Sequence, residues 1–170
     1  MRRVRYLVAM SLDGYIAGPN GQADWITIDP EFDFSEVFAS SIPCWWAAAH
    51  SNTMVAARRT SIPGMKTIVF SRSLRPADHP EVSIVKDRQQ ETVAALKAQP
   101  AKDIWLFGGG LLFRSLAQDR LVDTVEVGIV PILLGAGVPL LPGPEQRIKL
   151  SLTAHKVRRT GTVSLEYTIT

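Results

Sequence analysis

Ile104-Trp-Leu-Phe-Gly-Gly-Gly-Leu-Leu-Phe-Arg-Ser-Leu-Ala-Gln118 passes from an apolar run through three consecutive glycines into a helical pattern. A short apolar run bounded by glycine reads as a buried strand, and Leu112, Phe113, Leu116 and Ala117 then recur at the spacing of a helix that lays one stripe on a core. Without a Cβ, the glycines let backbone N–H groups approach an anion closely. The free amides and positive dipole end of the following helix favour negative charge at the same point. The spacing is neither the six-residue dinucleotide fingerprint nor a P-loop, because no Lys-Ser/Thr pair follows the glycines. The same three glycines also suit a tight strand-to-helix turn that binds nothing.

Working outward, residues 4–10 are rich in β-formers and end at Ser11-Leu-Asp-Gly14, which predicts a central strand and then a loop through Gly21. Asp33-x-x-Glu36 has capping-box spacing, with Phe34, Val37 and Phe38 at helical intervals after it, so a helix is expected to begin near residue 33. Further strands are expected at 53–56, 67–70 and 82–85. Asp87-x-x-Gln90 opens a second helix whose Val93 and Leu96, with the neighbouring alanines, offer a core face. Then come a strand at 103–107 and the glycine-led helix. Residues 124–130 form a strand ended by Pro131, and 134–142 a long irregular loop. Val163, Leu165, Tyr167 and Ile169 alternate with polar residues after the turn signal Arg159-Thr-Gly161, the period of a half-buried antiparallel strand. Strands alternating with helices imply right-handed crossovers. The expected fold is therefore α/β: a single domain over residues 1–170, three layers, a mostly parallel central sheet and a C-terminal antiparallel hairpin. Cys44-Trp-Trp-Ala-Ala-Ala-His50 reads as a buried helix or a subunit contact.

Composition excludes several classes. With 170 residues, 46% hydrophobic and 21% charged, the chain can bury a core without staples. Its one cysteine rules out an intrachain disulfide, and His50, His79 and His155 lack the short pair spacing of a zinc site, so a metal-free, cytoplasmic protein is expected. The basic start is followed by too short an apolar run for a signal peptide, and no run approaches the length of a membrane span. The net charge of +3 suits nucleic acid or a small phosphorylated ligand. Arg2, Arg3, Arg5, Arg158 and Arg159 lack the interleaved aromatics of a nucleic-acid binder, so they read as solvated surface.

Four segments occur together: Val8-Ala-Met-Ser-Leu-Asp-Gly-Tyr-Ile-Ala17, Ala57-Arg-Arg-Thr60, Lys66-Thr-Ile-Val-Phe-Ser-Arg72 and Phe107-Gly-Gly-Gly110. With them the chain resembles the dihydrofolate reductase-like superfamily. The run Val130-Pro-Ile-Leu-Leu-Gly-Ala-Gly-Val-Pro139 is more similar to the reductase domain of riboflavin-biosynthesis deaminase-reductases and its stand-alone bacterial relatives. The resemblance implies an NADPH-dependent reductase. It assigns Gly108, Gly109 and Gly110, with Leu111 and Leu112 opening the helix, to the cofactor pyrophosphate, and implies a cis peptide between the first two glycines. Arg58, Arg59 and Thr60 match the start of a phosphate-binding helix, with Arg58 directed to the adenosine 2′-phosphate and Ser71 and Arg72 completing that subsite. Read alone, these arginines are equally solvated surface charges. Ile16 would pack on the nicotinamide, the backbone near Ala9 and Ala17 would hold its carboxamide, and Trp25 would lie beside the substrate; core packing would explain Ile16 and Trp25 equally well. Two departures stand out. Ala57 replaces the usual glycine, and only five residues separate Thr60 from Lys66.

Hydride transfer asks little of side chains beyond alignment and a proton. Glu31, Asp33 and Glu36 are the carboxylic acids near the position the resemblance implies for a proton donor; Asp33 and Glu36 are the candidate catalytic acids, and the capping box explains these two as well. Asp13 reads as a turn residue accepting backbone hydrogen bonds. The leading expectation is reduction of a small heterocyclic or sugar-like substrate, with no nucleic acid and no membrane as partner. The alternative is a nucleotide-binding or scaffold protein of the same fold without turnover. A homodimer is expected because the resembling domains pair, and because residues 129–134 with Trp45 and Trp46 offer apolar surface.

Overall fold

The computed structural model describes residues 1–27, 29–30, 67–143 and 147–170 in full and 41–47 as backbone. In chain order the elements are β1 (Val4–Ser11), β2 (Tyr15–Ala17), β3 (Ser41–Ala47), β4 (Ile68–Phe70), β5 (Ser83–Val85), α1 (Gln89–Ala98), β6 (Asp103–Gly108), α2 (Gly110–Gln118), β7 (Thr124–Val130), β8 (Val138–Pro139), β9 (Leu150–Val157) and β10 (Val163–Ile169). Eight strands form one sheet in the order β5-β4-β3-β6-β1-β7-β10-β9, while β2 and β8 pair separately. From β5 to β7 every pairing is parallel, and β10 runs antiparallel to both its neighbours. The mixed α/β architecture, mostly parallel with a terminal hairpin, is the one the sequence predicts.

The core follows from the same patterns. Tyr6, Ile104, Leu106, Val125 and Val127 from the inner strands meet Leu112, Phe113 and Leu116 of α2, all nearly inaccessible. The Tyr6 ring stacks on Phe113 with centroids 4.1 Å apart and planes 10° from parallel. Each such side chain removed from water contributes about 1.5–3 kcal/mol, so the α2 stripe is a principal fixture of the glycine turn before it. On the other face of β1, Arg5 grips Glu126 of β7 through two 2.7 Å bonds, and the Thr124 hydroxyl donates to the same carboxylate. The hairpin turn closes where Arg158 donates to the Thr162 carbonyl, with Gly161 at φ +84.

Four expectations need correction. The segment holding Cys44, Trp45 and Trp46 is a strand, β3, inserted between β4 and β6 rather than a helix. The capping box at Asp87 does not form: Arg88, in the left-handed region at φ 61, precedes the helix, and no side chain caps it. On α1 the alanines Ala94, Ala95 and Ala98 are exposed, and Lys97 is buried with Val93 instead. Finally, the loop after β7 is not wholly irregular, since β8 within it pairs with β2. The helix expected near residue 33 and the strand at 53–56 lie outside the described residues.

Candidate functional site

Parallel strands leave their connections at one edge, and here the edge at the C-terminal ends of β1, β4, β6 and β7 gathers the chemically interesting loops. Of the sequence-predicted positions that the structure describes, Ala9, Ile16, Ala17, Ser71, Arg72 and Gly108 to Leu112 lie at or beside it, and Trp25 follows in the loop after β2. Asp33, Glu36, Arg58, Arg59 and Thr60 fall outside the described residues.

The three glycines have three different physical reasons. Gly108 sits at φ +129, which side chains rarely adopt. Gly110 faces the segment after β8: a Cβ there would lie 2.6 Å from Pro142 Cδ, 2.8 Å from the Pro139 carbonyl oxygen and 2.9 Å from that of Leu140. Gly109, at φ −84, is the exception, because a Cβ added to it would meet nothing within 4 Å among the described residues. The Gly108–Gly109 peptide bond is cis. The amides of Gly110 and Leu111 open α2 and have no acceptor among the described residues, as the first turn of a helix dictates. The amide of Leu112 is already used, donating to the Gly109 carbonyl at 3.1 Å, and its side chain is buried in the core. Leu111 points outward, 45% exposed. Open space over Gly109, flanked by unused amides and a positive helix end, fits a phosphate group. Arg114, one turn further along α2, donates to the Pro142 carbonyl at 3.3 Å and so holds the segment that covers Gly110.

At the end of β4 the Ser71 hydroxyl, buried, accepts from the amides of Ser73 and Leu74 at 3.3 and 3.2 Å and shares a further hydrogen bond with the Ser73 hydroxyl at 3.3 Å. Arg72 is exposed and pairs with Asp87 at 3.4 Å. So exposed a pair contributes at most about 1 kcal/mol, which lets the guanidinium be redirected to a phosphate. At the end of β1, the chain turns through 12–14 into β2, which carries Ile16 and Ala17, both half-buried. Trp25 is half-buried and donates from Nε1 to the Gln22 carbonyl at 3.2 Å. The segment 137–142 is the keystone: Leu140 donates to the Gly14 carbonyl at 3.0 Å, Gly137 packs directly on the Ala17 carbonyl, and Pro142 and Leu140 cover Gly110.

Sequence reasoning missed Asp29. Its carboxylate is buried, 5% exposed, and accepts from the Thr160 hydroxyl at 3.0 Å. The partner lies 131 residues away in the chain, so no local signal could have revealed the contact. Among the described residues no group of three or more His, Cys, Asp and Glu is placed to hold a metal ion, and no helix is long and apolar enough to cross a membrane.

A sequence profile describing the RibD C-terminal domain matches residues 2–164. The chain belongs to the RibD C-terminal domain family. It is 31% identical over 178 residues to the uncharacterized protein YyaP of Bacillus subtilis strain 168, covering 98% of this chain and 94% of the relative. Among solved structures, a protein of Shewanella sp. PV-4 provisionally assigned to riboflavin biosynthesis superposes with a TM-score of 0.79 at 23% identity, over 100% of this chain and 99% of that one. A diaminohydroxyphosphoribosylaminopyrimidine deaminase/5-amino-6-(5-phosphoribosylamino)uracil reductase from Thermotoga maritima gives 0.74 at 16% identity, covering 99% of this chain and 57% of the other. Dihydrofolate reductase from Enterococcus faecalis complexed with NADP(H) gives 0.71 at 16% identity, covering 98% and 96%. At such identities these likenesses establish a shared fold, and family membership places the chain among the reductase-like proteins.

Proposed function

We propose that this chain is an NADPH-dependent reductase acting on a small heterocyclic or sugar-like substrate. The observation that carries the reading is the open, amide-lined cradle over Gly109 at the same sheet edge as the loop bearing Ile16. The similar fold of a dihydrofolate reductase complexed with NADP(H) supports it. Bound NADPH would supply the hydride. In this reading the amides of Gly110 and Leu111 hold the pyrophosphate. Arg58, Ser71 and Arg72 take the 2′-phosphate, with Arg59 and Thr60 beside them. Ile16 packs on the nicotinamide, and the backbone of Ala9 and Ala17 fixes its carboxamide. Trp25 flanks the substrate, and Asp33 or Glu36 supplies the proton.

The 2′-phosphate is the group that NADH lacks, so discrimination between the two cofactors tests the subsite directly. Charge-assisted hydrogen bonds contribute about 1.5–3 kcal/mol each, so NADPH should bind more than about tenfold more tightly than NADH. Fluorescence titration with each at moderate salt reads the difference, and equal dissociation constants would remove the assignment. Ala57 and the five-residue segment after Thr60 favour a second reading, a nucleotide-binding protein of the same fold without turnover. Assay with a carbonyl and dihydropyrimidine panel separates the two.

A homodimer belongs to the same proposal. The apolar surface that supports it lies on the edge strand β9, where Leu150, Leu152 and Val157 are 42%, 53% and 68% exposed. Within 129–134 only Leu133 and Pro131 are exposed, and the side chains of Trp45 and Trp46 lie outside what the structure describes. Light scattering at micromolar concentration should give twice the 18.7 kDa chain mass, and a monomeric mass would count against pairing.

A further inference from the structure

The sequence suggests that Asp13 serves its own turn, yet its carboxylate reaches into a different loop. The amides of Leu134 and Gly135 donate to its Oδ2 at 3.1 and 2.7 Å, across 121 and 122 residues of chain. From its own side the Ser11 hydroxyl donates to Oδ1 at 2.6 Å. Ser11 is fully buried and rigidly held: its Oγ accepts the Tyr15 amide at 2.9 Å and its carbonyl the Gly14 amide at 3.0 Å. These donors hold the Asp13 carboxyl below the usual carboxylate range, the Ser11 hydroxyl foremost, so it is the charged form that bridges the loops. Gly135 meets it at φ +73, a conformation that side chains rarely adopt.

We propose that Asp13 is a positioning residue whose carboxylate pins the turn after β1 to the loop after β7, and so fixes where Ile16, three residues on, meets the nicotinamide end of the cofactor. The role rests on the cofactor reading above. Backbone ties run alongside it: Leu12 donates to the Ile132 carbonyl at 2.9 Å, Leu140 donates to Gly14, and β2 pairs with β8. Losing the carboxylate therefore loosens the tip of the loop and leaves the sheet intact. The adenosine end of the site, at Ser71 and Arg72 after β4, makes none of these contacts.

Two ligands that share one end and differ at the other test the role. NADPH has both ends, whereas 2′,5′-ADP carries the 2′-phosphate and lacks the nicotinamide. In Asp13→Ala, NADPH affinity should fall about tenfold, in line with losing one charge-assisted hydrogen bond, while affinity for 2′,5′-ADP stays unchanged. Amide hydrogen exchange at Gly135 should quicken in the same variant. Asp13→Asn, which keeps one acceptor oxygen for Gly135, should fall between Asp13→Ala and the parent protein on both measures. Equal weakening of the two ligands would reduce Asp13 to a general structural residue, and unchanged NADPH affinity would overturn the positioning role. If the parent protein binds neither ligand, the cofactor reading fails on its own evidence. Exchange at Gly135 then judges the bridge alone: faster exchange in Asp13→Ala sustains it and unchanged exchange overturns it.

Discussion

Gly110→Ala should melt several degrees below the parent protein, whereas the same methyl at the adjacent Gly109 should leave folding nearly untouched and weaken NADPH at least about tenfold. The contrast follows from what each Cβ meets. At Gly110 two of the three nearest atoms are backbone carbonyl oxygens, at 2.8 and 2.9 Å, and that backbone is tied to Gly14 and to β2. It cannot step aside as a flexible side chain would. Overpacking of this kind costs about 1–3 kcal/mol, and in a chain of this size each kcal/mol lowers the thermal midpoint by about 2–4 °C. At Gly109 the methyl meets none of the described residues, and the folded state loses only the small preference for glycine over alanine before a helix, about 1 kcal/mol or less. A phosphate held over Gly109 would meet the methyl. Thermal melting without ligand, paired with NADPH titration, reads both variants. Normal NADPH binding by Gly109→Ala would reduce the three glycines to a tight turn, and an unshifted midpoint for Gly110→Ala would refute the packing account.

Asp123→Ala should be more damaging still. Asp123 immediately precedes β7, and its Oδ2 accepts from Lys97 Nζ of α1 at 2.6 Å and from the Val4 amide at the start of β1 at 2.6 Å. Its backbone ties in as well, donating to the Val4 carbonyl at 2.9 Å and accepting from Ile169 at 3.1 Å. The Lys97 side chain is only 7% exposed, so truncating Asp123 strands a nearly buried ammonium with the Leu121 carbonyl as its remaining described acceptor. Removing the carboxylate from a nearly buried ammonium costs about 3 kcal/mol, a sizeable fraction of the total stability of an ordinary domain. The converse change is milder. Lys97→Met leaves Asp123, 35% exposed, able to meet water and still accepting from Val4, so about 1–2 kcal/mol is expected. Urea unfolding of the two variants measures the asymmetry, and equal losses would contradict it.

How far the sequence was legible varied with how local the signal was. β1, β6, α2, β7 and the hairpin all announce themselves through period and flanking turn residues, and the glycine turn through composition alone. β3 did not. Ser41-Ile-Pro-Cys-Trp-Trp-Ala47 carries a proline, which argues against an inner strand, and its apolar run cannot be told by period from a buried helix. The failure at Asp87 is of another kind: the capping spacing is present, but the carboxylate pairs with Arg72 and the left-handed Arg88 starts the helix without a side-chain cap. Lys97 was invisible because its partner, Asp123, lies 26 residues away. At the candidate site, the cradle and the two loops facing it were readable as motifs. Asp29 and the bridge from Asp13 to Gly135 were not, since each joins residues more than a hundred positions apart.

The central place of β1 has a kinetic consequence. Its partners arrive late along the chain: Arg3 meets Asp103 across 100 residues and Val4 meets Asp123 across 119. Such contacts demand that most of the chain be gathered before any of them forms, so closure entropy is spent ahead of the reward and the transition state must already hold a large part of the sheet. Until then the unpaired backbone edges of β1 and the apolar face formed by Val4, Tyr6 and Val8 are open to association with another copy. Refolding yield should therefore fall as protein concentration rises, even where the native state is stable, and the first strand of the chain would be the surface on which refolding is lost.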